Sequence, residues 1–123
     1  MPQQRKDRIG CRGERIARRF LRWRKGCRII ESNWRASRLG ELDIVALDGQ
    51  VLVFVEVKAL RPEVPADPED SVTPDKQQRL RRLAQSFVGQ YNLGHLPCRF
   101  DVLAVTVRRW PWPAKVVHYK DAF

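Results

Sequence analysis

Residues 41–58, with the sequence ELDIVALDGQVLVFVEVK, decide the fold of this chain. Two runs rich in β-branched residues, 41–47 and 51–58, meet at Asp48-Gly49, and an Asp-Gly step between such runs is a strong signal for a hairpin turn. The stretch therefore predicts an antiparallel β-hairpin. With Asp48-Gly49 as a two-residue turn, the opposed pairs are Leu47 with Gln50, Asp43 with Phe54, and Glu41 with Glu56.

The charged residues of the hairpin are predicted to share one face. Side chains alternate between the two faces of a strand, which places Glu41 and Asp43 beside Glu56 and Lys58. Opposed neighbours lie about 5 Å apart and diagonal ones about 7–8 Å, so Asp43 and Glu56 can reach a common ion. Valine at every second position from 51 to 57 predicts that the second strand is central and covered on both faces.

Carboxylates in a covered part of a sheet repel one another and resist ionisation unless a cation joins them. A hard cation with oxygen ligands meets this requirement, and Mg²⁺ is the first candidate. Lys58 cannot be a ligand, but it can position the attacking water or stabilise charge on a phosphate. The alternative is a set of edge-strand charges facing solvent, the ordinary origin of a Glu-x-Lys triplet. The combined spacing favours the metal site.

Helices and further strands are predicted on both sides of the hairpin. Apolar residues at helical spacing predict a basic first helix over about residues 7–25, with Glu14 at the edge of the apolar stripe, able to face the protein. The β-branched and aromatic segment 28–35 predicts a strand, as do residues 99–107 and the short segment 115–119.

The segment 59–74 is rich in proline and acidic residues and predicts a loop. Thr73 can cap a following helix that has Pro74 at its first position. The inward stripe of that helix is predicted to begin at Lys76 and to contain Leu80, Leu83, Ala84, Phe87 and Tyr91. The order αβββαβ(β) predicts a single α/β domain with a mixed central sheet flanked by helices.

The net charge of +10 is concentrated at the N-terminal end. Residues 1–38 contain thirteen Lys or Arg and three acids, whereas the remainder contains eleven of each. A one-sided basic region suits a polyanion such as nucleic acid, although a solubilising surface has the same composition. Three widely spaced cysteines indicate neither zinc nor disulfides, and the lack of a long apolar run or signal-like N-terminus predicts a cytoplasmic protein without a membrane partner.

Structural roles are favoured for several other conspicuous residues. Trp110 and Trp112 can stack on bases, but an apolar plug against the sheet is the preferred interpretation. His95 and His118 are interpreted as packed or surface histidines, and Asp101 as a local structural contact.

Short motifs lie along nearly the whole chain, from about residue 7 to residue 123. They are Gly13-Glu14, Gly40-Glu41-Leu42-Asp43, Val55-Glu56-Val57-Lys58, Lys76 with Arg79-Leu80, and Arg99-Phe100-Asp101-Val102. As a set they closely resemble the YraN family of uncharacterised bacterial proteins. That family is distantly similar to archaeal Holliday junction resolvases, within the PD-(D/E)xK, restriction-endonuclease-like superfamily.

The resemblance implies a role for each matching residue. Asp43 and Glu56 match the metal-binding carboxylates, with the Val57 carbonyl as a further ligand, and Lys58 matches the catalytic lysine. Glu14 matches the helix acid that completes the site in resolvase-like members. Glu41 matches a glutamate of the YraN pattern whose role is undecided. The residues expected to contact nucleic acid are Lys76, Arg79, Arg15, Arg18 and Arg19.

The resemblance also implies a function for the domain 1–123. It is expected to be a Mg²⁺- or Mn²⁺-dependent endonuclease that hydrolyses phosphodiester bonds of DNA, including branched or structured DNA, and a homodimer is one expectation. A nucleic-acid-binding protein that keeps the nuclease fold without turnover is the alternative, because fold alone does not establish function. A third hypothesis is a basic protein associated with RNA or the ribosome.

Overall fold

A computed structural model describes residues 8–63 and 72–123 of the chain. The elements follow the predicted αβββαβ(β) order. They are α1 (Arg8–Trp23), β1 (Arg28–Arg35), a short 3-10 helix (Ser37–Leu39), β2 (Glu41–Asp48), β3 (Val51–Leu60), α2 (Pro74–Tyr91), β4 (Cys98–Thr106) and β5 (Lys115–Tyr119). The predicted loop 59–74 is shorter, because β3 continues to Leu60, and most of its acidic part lies outside the described residues.

The five strands form one mixed sheet in the order β1-β2-β3-β4-β5. Only the β3–β4 pair is parallel, and the chain reaches β4 through α2, since a parallel pair needs a crossover connection. Ala17 and Leu21 of α1 pack on one face of the sheet, whereas Leu83 and Phe87 of α2 pack on the other. Strand β3 is therefore central and covered on both faces, as predicted.

The ends of α2 follow the predicted local signals. The Thr73 hydroxyl accepts a hydrogen bond from the Lys76 N–H at 3.2 Å, and Pro74 occupies the first helical position. The helix ends at Asn92, which adopts a left-handed conformation with φ of 54°. Leu80, Leu83, Ala84 and Phe87 are buried as predicted, but Tyr91 in the last turn is 41% exposed and only leans against Phe87.

The hairpin forms with a register different from the predicted one. Asp48 pairs with Val51 and Val45 with Phe54, so the turn residues are Gly49-Gln50. Gly49 has a φ of 61°, and glycine at the first central position is what a type II′ turn favours. Asp48 remains in the strand, where its carboxylate binds Arg99 at 3.1 Å. Each predicted partner is displaced by two residues, which leaves it on the same face.

The predicted apolar plug of Trp110 and Trp112 is wrong. The two indoles are 90% and 68% exposed, because the segment after β4 turns outward at Arg109 instead of folding over the sheet. His118 packs edge-on against Phe20, and His95 is exposed, in agreement with their structural interpretation. Neither of the two α-helices that the structure describes is long and apolar enough to cross a membrane.

Helix α1 approaches the end of β3 closely at Gly13. A Cβ atom added there would lie 2.7 Å from the Cβ of Ala59, which is closer than side-chain carbons pack. Glycine at this position therefore lets the helix sit directly on the strand, and the next residue along the helix is Glu14.

We expect Gly13→Ala to destabilise the fold by about 1–3 kcal/mol, because the new methyl group must displace α1 from β3. Gly89→Ala is the matched control: Gly89 lies in α2 with no atom within 4 Å of the added carbon, and the change should stabilise by roughly 0.5–1 kcal/mol. Urea unfolding of both variants measures the difference. Equal effects of the two substitutions would contradict the close packing.

Candidate metal centre

Three carboxylates meet between α1 and the beginning of β2. An oxygen of Glu14, one of Glu41 and one of Asp43 all lie within 4.8 Å of one another. Glu14 is 6% exposed, and Glu41 and Asp43 are half-buried. The helical spacing that placed Glu14 at the edge of the apolar stripe thus brings it to the sheet acids.

Strand β2 rotates at Asp43. Leu42 packs in the apolar cluster beneath α2, whereas Ile44 packs in the cluster beneath α1, although a regular strand would point both to the same face. Asn33, in the neighbouring strand β1, has a φ of 53°, so the adjacent backbone is irregular at the same level. The predicted single face for all the charged residues of the hairpin is therefore wrong: Asp43 and Glu41 approach Glu14 of α1 instead.

The opening between β2 and β3 is held by a side chain. The last regular pair of the two strands is Ile44 with Val55. Beyond it the Val57 N–H donates a hydrogen bond to Oδ2 of Asp43 at 2.9 Å. Asp43 is thereby fixed in orientation by the backbone of the strand that carries Glu56 and Lys58.

Glu56 lies on the side of the site nearer α2. Its Oε1 is 2.6 Å from Nζ of Lys76, and its side chain is 10% exposed. Burial raises the pKa of Glu56 above its usual value and the nearby Asp43 raises it further, while Lys76 and Lys58 act in the opposite direction. A carboxyl group with a raised pKa beside a second carboxylate is the electrostatic pattern of a site that favours a bound cation.

The predicted catalytic residues line one cleft of about 340 Å³. Glu14, Asp43, Glu56 and Lys58 all line it, together with Val57, the residue predicted to offer a carbonyl. Glu41 joins through its contact with Glu14 and Asp43. Glu14, Glu41 and Asp43 form one compact acidic group, and Glu56 lines the same cleft as Asp43 while it is paired with Lys76.

The residues predicted to contact nucleic acid lie on the two helices, α1 and α2. Lys76 is bound to Glu56 and is part of the site itself. Arg79 is exposed on α2, Arg15 and Arg19 are exposed on α1, and Arg18 is half-buried there.

Two arginines at the site were missed by sequence reasoning. Arg35 binds Oε2 of Glu41 at 3.2 Å, across the β1–β2 ladder in which the two residues are paired. Arg61 lines the cleft directly after the end of β3. Pairing β1 with β2 in the observed register places Arg35 opposite Glu41. Arg61 lies in the predicted loop 59–74, which carries no signal for a position at the site.

A second buried charge network is centred on Asp101 of β4. Asp101 is fully buried and binds the guanidinium of Arg99 at 2.9 and 3.1 Å, the Asp121 N–H at 2.9 Å, and Nε2 of His118 at 2.7 Å. Burial alone would raise the pKa of Asp101, but the hydrogen bonds from Arg99, Asp121 and His118 outweigh it and hold the pKa below its usual value. This agrees with the predicted structural role of Asp101.

We expect Asp101→Asn to destabilise the protein at neutral pH by about 3–5 kcal/mol, because it leaves Arg99 without its main buried counter-charge. A lowered pKa stabilises the fold above the unfolded-state pKa of about 4, and this stabilisation disappears as the pH falls through the folded-state value. The variant should therefore lose less stability than the parent in acid below about pH 5.

Urea unfolding over a pH series tests this expectation, with Glu63→Gln as the control because Glu63 is exposed. The control should follow the parent at each pH. A steep acid loss of stability that persists in Asp101→Asn would show that Asp101 is not its source.

Comparison with known proteins gives one consistent result. A family model described as uncharacterised protein family UPF0102 matches residues 13–105. A UPF0102 protein of Pelotomaculum thermopropionicum is 43% identical over 115 residues, covering 94% of this chain and 94% of its own. A UPF0102 protein of Rhodococcus opacus is 41% identical over 115 residues, covering 94% and 95%. The matched region contains the acids of the centre, Glu14, Glu41, Asp43 and Glu56, together with Lys58 and Lys76.

Proposed function

This chain belongs to the UPF0102 family, to which its YraN-like motifs pointed, and on that premise we propose that it is a divalent-metal-dependent nuclease acting on DNA. The names of its relatives state no activity, so the proposal depends on the site. The observation that carries it is the single cleft lined by Glu14, Asp43, Glu56 and Lys58. Three acids and a lysine converge there from α1, β2 and β3.

The donor set fits a hard divalent cation. Carboxylate oxygens are the preferred ligands of Mg²⁺ and Mn²⁺, and those of Glu14, Glu41 and Asp43 lie close enough together to surround one ion. Glu56 and the Val57 carbonyl are the further ligands we assign, because both residues line the same cleft. Gathering partly buried carboxylates at one point costs free energy because they repel one another, and a bound cation would remove that cost.

The charged side chains of the site have distinct roles in the proposed phosphodiester hydrolysis. A bound Mg²⁺ or Mn²⁺ ion supplies Lewis acidity, which polarises the scissile phosphate and makes an attacking water more acidic. Lys58 lies on the strand between the acids and Arg61, where its ammonium group can stabilise the charge that develops on the phosphate. Lys76 favours the ionised form of Glu56, since its charge and its hydrogen bond oppose the rise in pKa that burial and Asp43 cause.

The basic surface around the cleft supplies affinity without sequence preference. Lys and Arg side chains hold nucleic acid through its phosphates and release counterions, which makes binding dependent on salt. Arg15, Arg19 and Arg79 are exposed and suit this role. The basic side chains would attract a phosphate backbone, and a bound cation would reduce its repulsion by the acidic centre.

A second function, nucleic-acid binding without turnover, is favoured by one observation. Lys76 already neutralises Glu56 at 2.6 Å, so the site is partly satisfied without a metal. A protein that only binds would keep its affinity when the carboxylates are changed to amides, whereas a nuclease would lose cleavage.

We expect DNA cleavage to require Mg²⁺ or Mn²⁺ and Asp43. Asp43→Asn should lower the cleavage rate at least about a hundredfold, because it removes a charge that holds the metal. Asp48→Asn is the matched control, since Asp48 lies on the same strand but binds Arg99 outside the cleft.

The assay compares duplex, single-stranded, flap and four-way-junction DNA, and RNA, with each metal and with a chelator. Cleavage by the parent and by Asp48→Asn, but not by Asp43→Asn, supports the proposal. No cleavage of any form, or equal cleavage by Asp43→Asn, contradicts it.

A further inference from the structure

A second concavity of about 440 Å³ lies beside the acidic cleft. Four arginines, Arg12, Arg61, Arg108 and Arg109, line it together with Trp112, and we call it the arginine–tryptophan groove. Arg61 and Ile9 line both this groove and the acidic cleft, so the two adjoin. A nucleic-acid strand bound in the groove would therefore lie next to the acidic cleft.

The groove is built at the carboxyl ends of the two parallel strands. The Val107 N–H donates to the Leu60 carbonyl at 2.9 Å, which ties the segment after β4 to the end of β3. The Trp112 N–H then donates to the Arg109 carbonyl at 2.9 Å and closes a turn that presents the tryptophans. Crevices outside the carboxyl ends of parallel strands are a common place for ligands in α/β sheets.

The tryptophans of this turn have most of their surface in water. Trp110 is 90% exposed and Trp112 is 68% exposed, although an indole is among the largest apolar side chains. Exposure alone does not identify a binding surface, because Trp23 is 81% exposed as well. What distinguishes Trp112 is that it lines a concavity with arginines on its other walls, next to the candidate metal centre.

Charge and ring surface together select the ligand. Among the described lining residues, four guanidinium groups face one carboxylate, that of Glu63, so the groove attracts an anion. Exposed indoles stack on nucleic-acid bases, and arginines beside them bind phosphates or stack in turn. A duplex hides its base faces in its own stack, whereas an unpaired strand offers both phosphates and free base faces.

We propose that the arginine–tryptophan groove binds an unpaired stretch of nucleic acid, with a base stacked on Trp112 or Trp110 and phosphates on the arginines. As a statement about cleavage this rests on the proposed nuclease function, because a groove that adjoins the acidic cleft would then hold unpaired nucleotides beside the scissile phosphate. Substrates in which a single strand adjoins a duplex, such as flaps or forks, are the class this arrangement selects.

The binding part is tested without catalysis. Fluorescence anisotropy in a chelator measures the affinity for a labelled oligothymidylate of about 12 nucleotides and for a blunt duplex of equal length. Changing both tryptophans, Trp110→Ala and Trp112→Ala together, should weaken single-strand binding about tenfold or more and leave duplex binding within about twofold. Both side chains are exposed, so the fold should be kept, and circular dichroism verifies it.

Trp23→Ala is the matched control. Trp23 is an exposed indole flanked by Arg22 and Arg24, but it lies at the far end of α1, about 20 Å along the helix from Ile9. Its loss should not change single-strand binding. The proposal is overturned if the double variant binds single strands as the parent does, if duplex binding falls equally, or if Trp23→Ala causes the same loss. Competition by polyglutamate as strong as by oligothymidylate would also overturn it, since that would make the groove a general anion surface.

Cleavage assays separate this inference from the proposed function. Tryptophan-dependent single-strand binding without cleavage of any form would refute the nuclease and leave the groove assignment intact. Asp43-dependent cleavage that does not prefer flaps over blunt duplex, and that is the same in the double tryptophan variant, would refute the groove and leave the nuclease intact.

Discussion

The hydrogen bond from the Val57 N–H to the Asp43 carboxylate is the interaction on which the site depends. It lies just beyond the last regular pair of the β2–β3 ladder and fixes the orientation of the Asp43 carboxylate, which lies beside those of Glu14 and Glu41. The same strand continues to Glu56 and Lys58, so one local departure from regular pairing brings acids from both helix-facing sides of the sheet to one cleft. Such irregularities in strands are often found next to functional sites, where they redirect a side chain.

The packing of the rest of the fold holds these acids together. Gly13 lets α1 lie against Ala59, and two apolar clusters fix the helices on opposite faces of the sheet. The repulsion between the carboxylates is reduced by Arg35 on Glu41 and by Lys76 on Glu56. On β4, Asp101 binds Arg99 and His118, so its charge is satisfied within the protein. The two acidic sites therefore differ in kind: one is closed, and the other opens to a cleft.

Much of the fold could be predicted from the sequence, because its elements carry strong local signals. The Asp-Gly step, the Thr73-Pro74 cap and the spacing around Glu14 each depend on neighbours within a few residues. The hairpin register was wrong because a type II′ turn at Gly49 and an Asp-Gly turn at Asp48 look alike without tertiary contacts such as Arg99. The rotation of β2 at Asp43 accompanies a side-chain hydrogen bond to β3. The exposure of Trp110 depends on where the chain turns after β4. Neither has a periodic signature.

The central claim is that the acids around Asp43 form a metal site, and calorimetric titration with Mn²⁺ tests it most directly. The account predicts saturable binding of Mn²⁺ by the parent chain, loss of most of that affinity in Glu14→Gln, and parent-like binding in Glu63→Gln, whose carboxylate lies outside the acidic cleft. Binding should also raise the unfolding temperature, because a metal held only by the folded state stabilises it. Absence of Mn²⁺ binding by the parent, or unchanged binding in Glu14→Gln, would contradict the account.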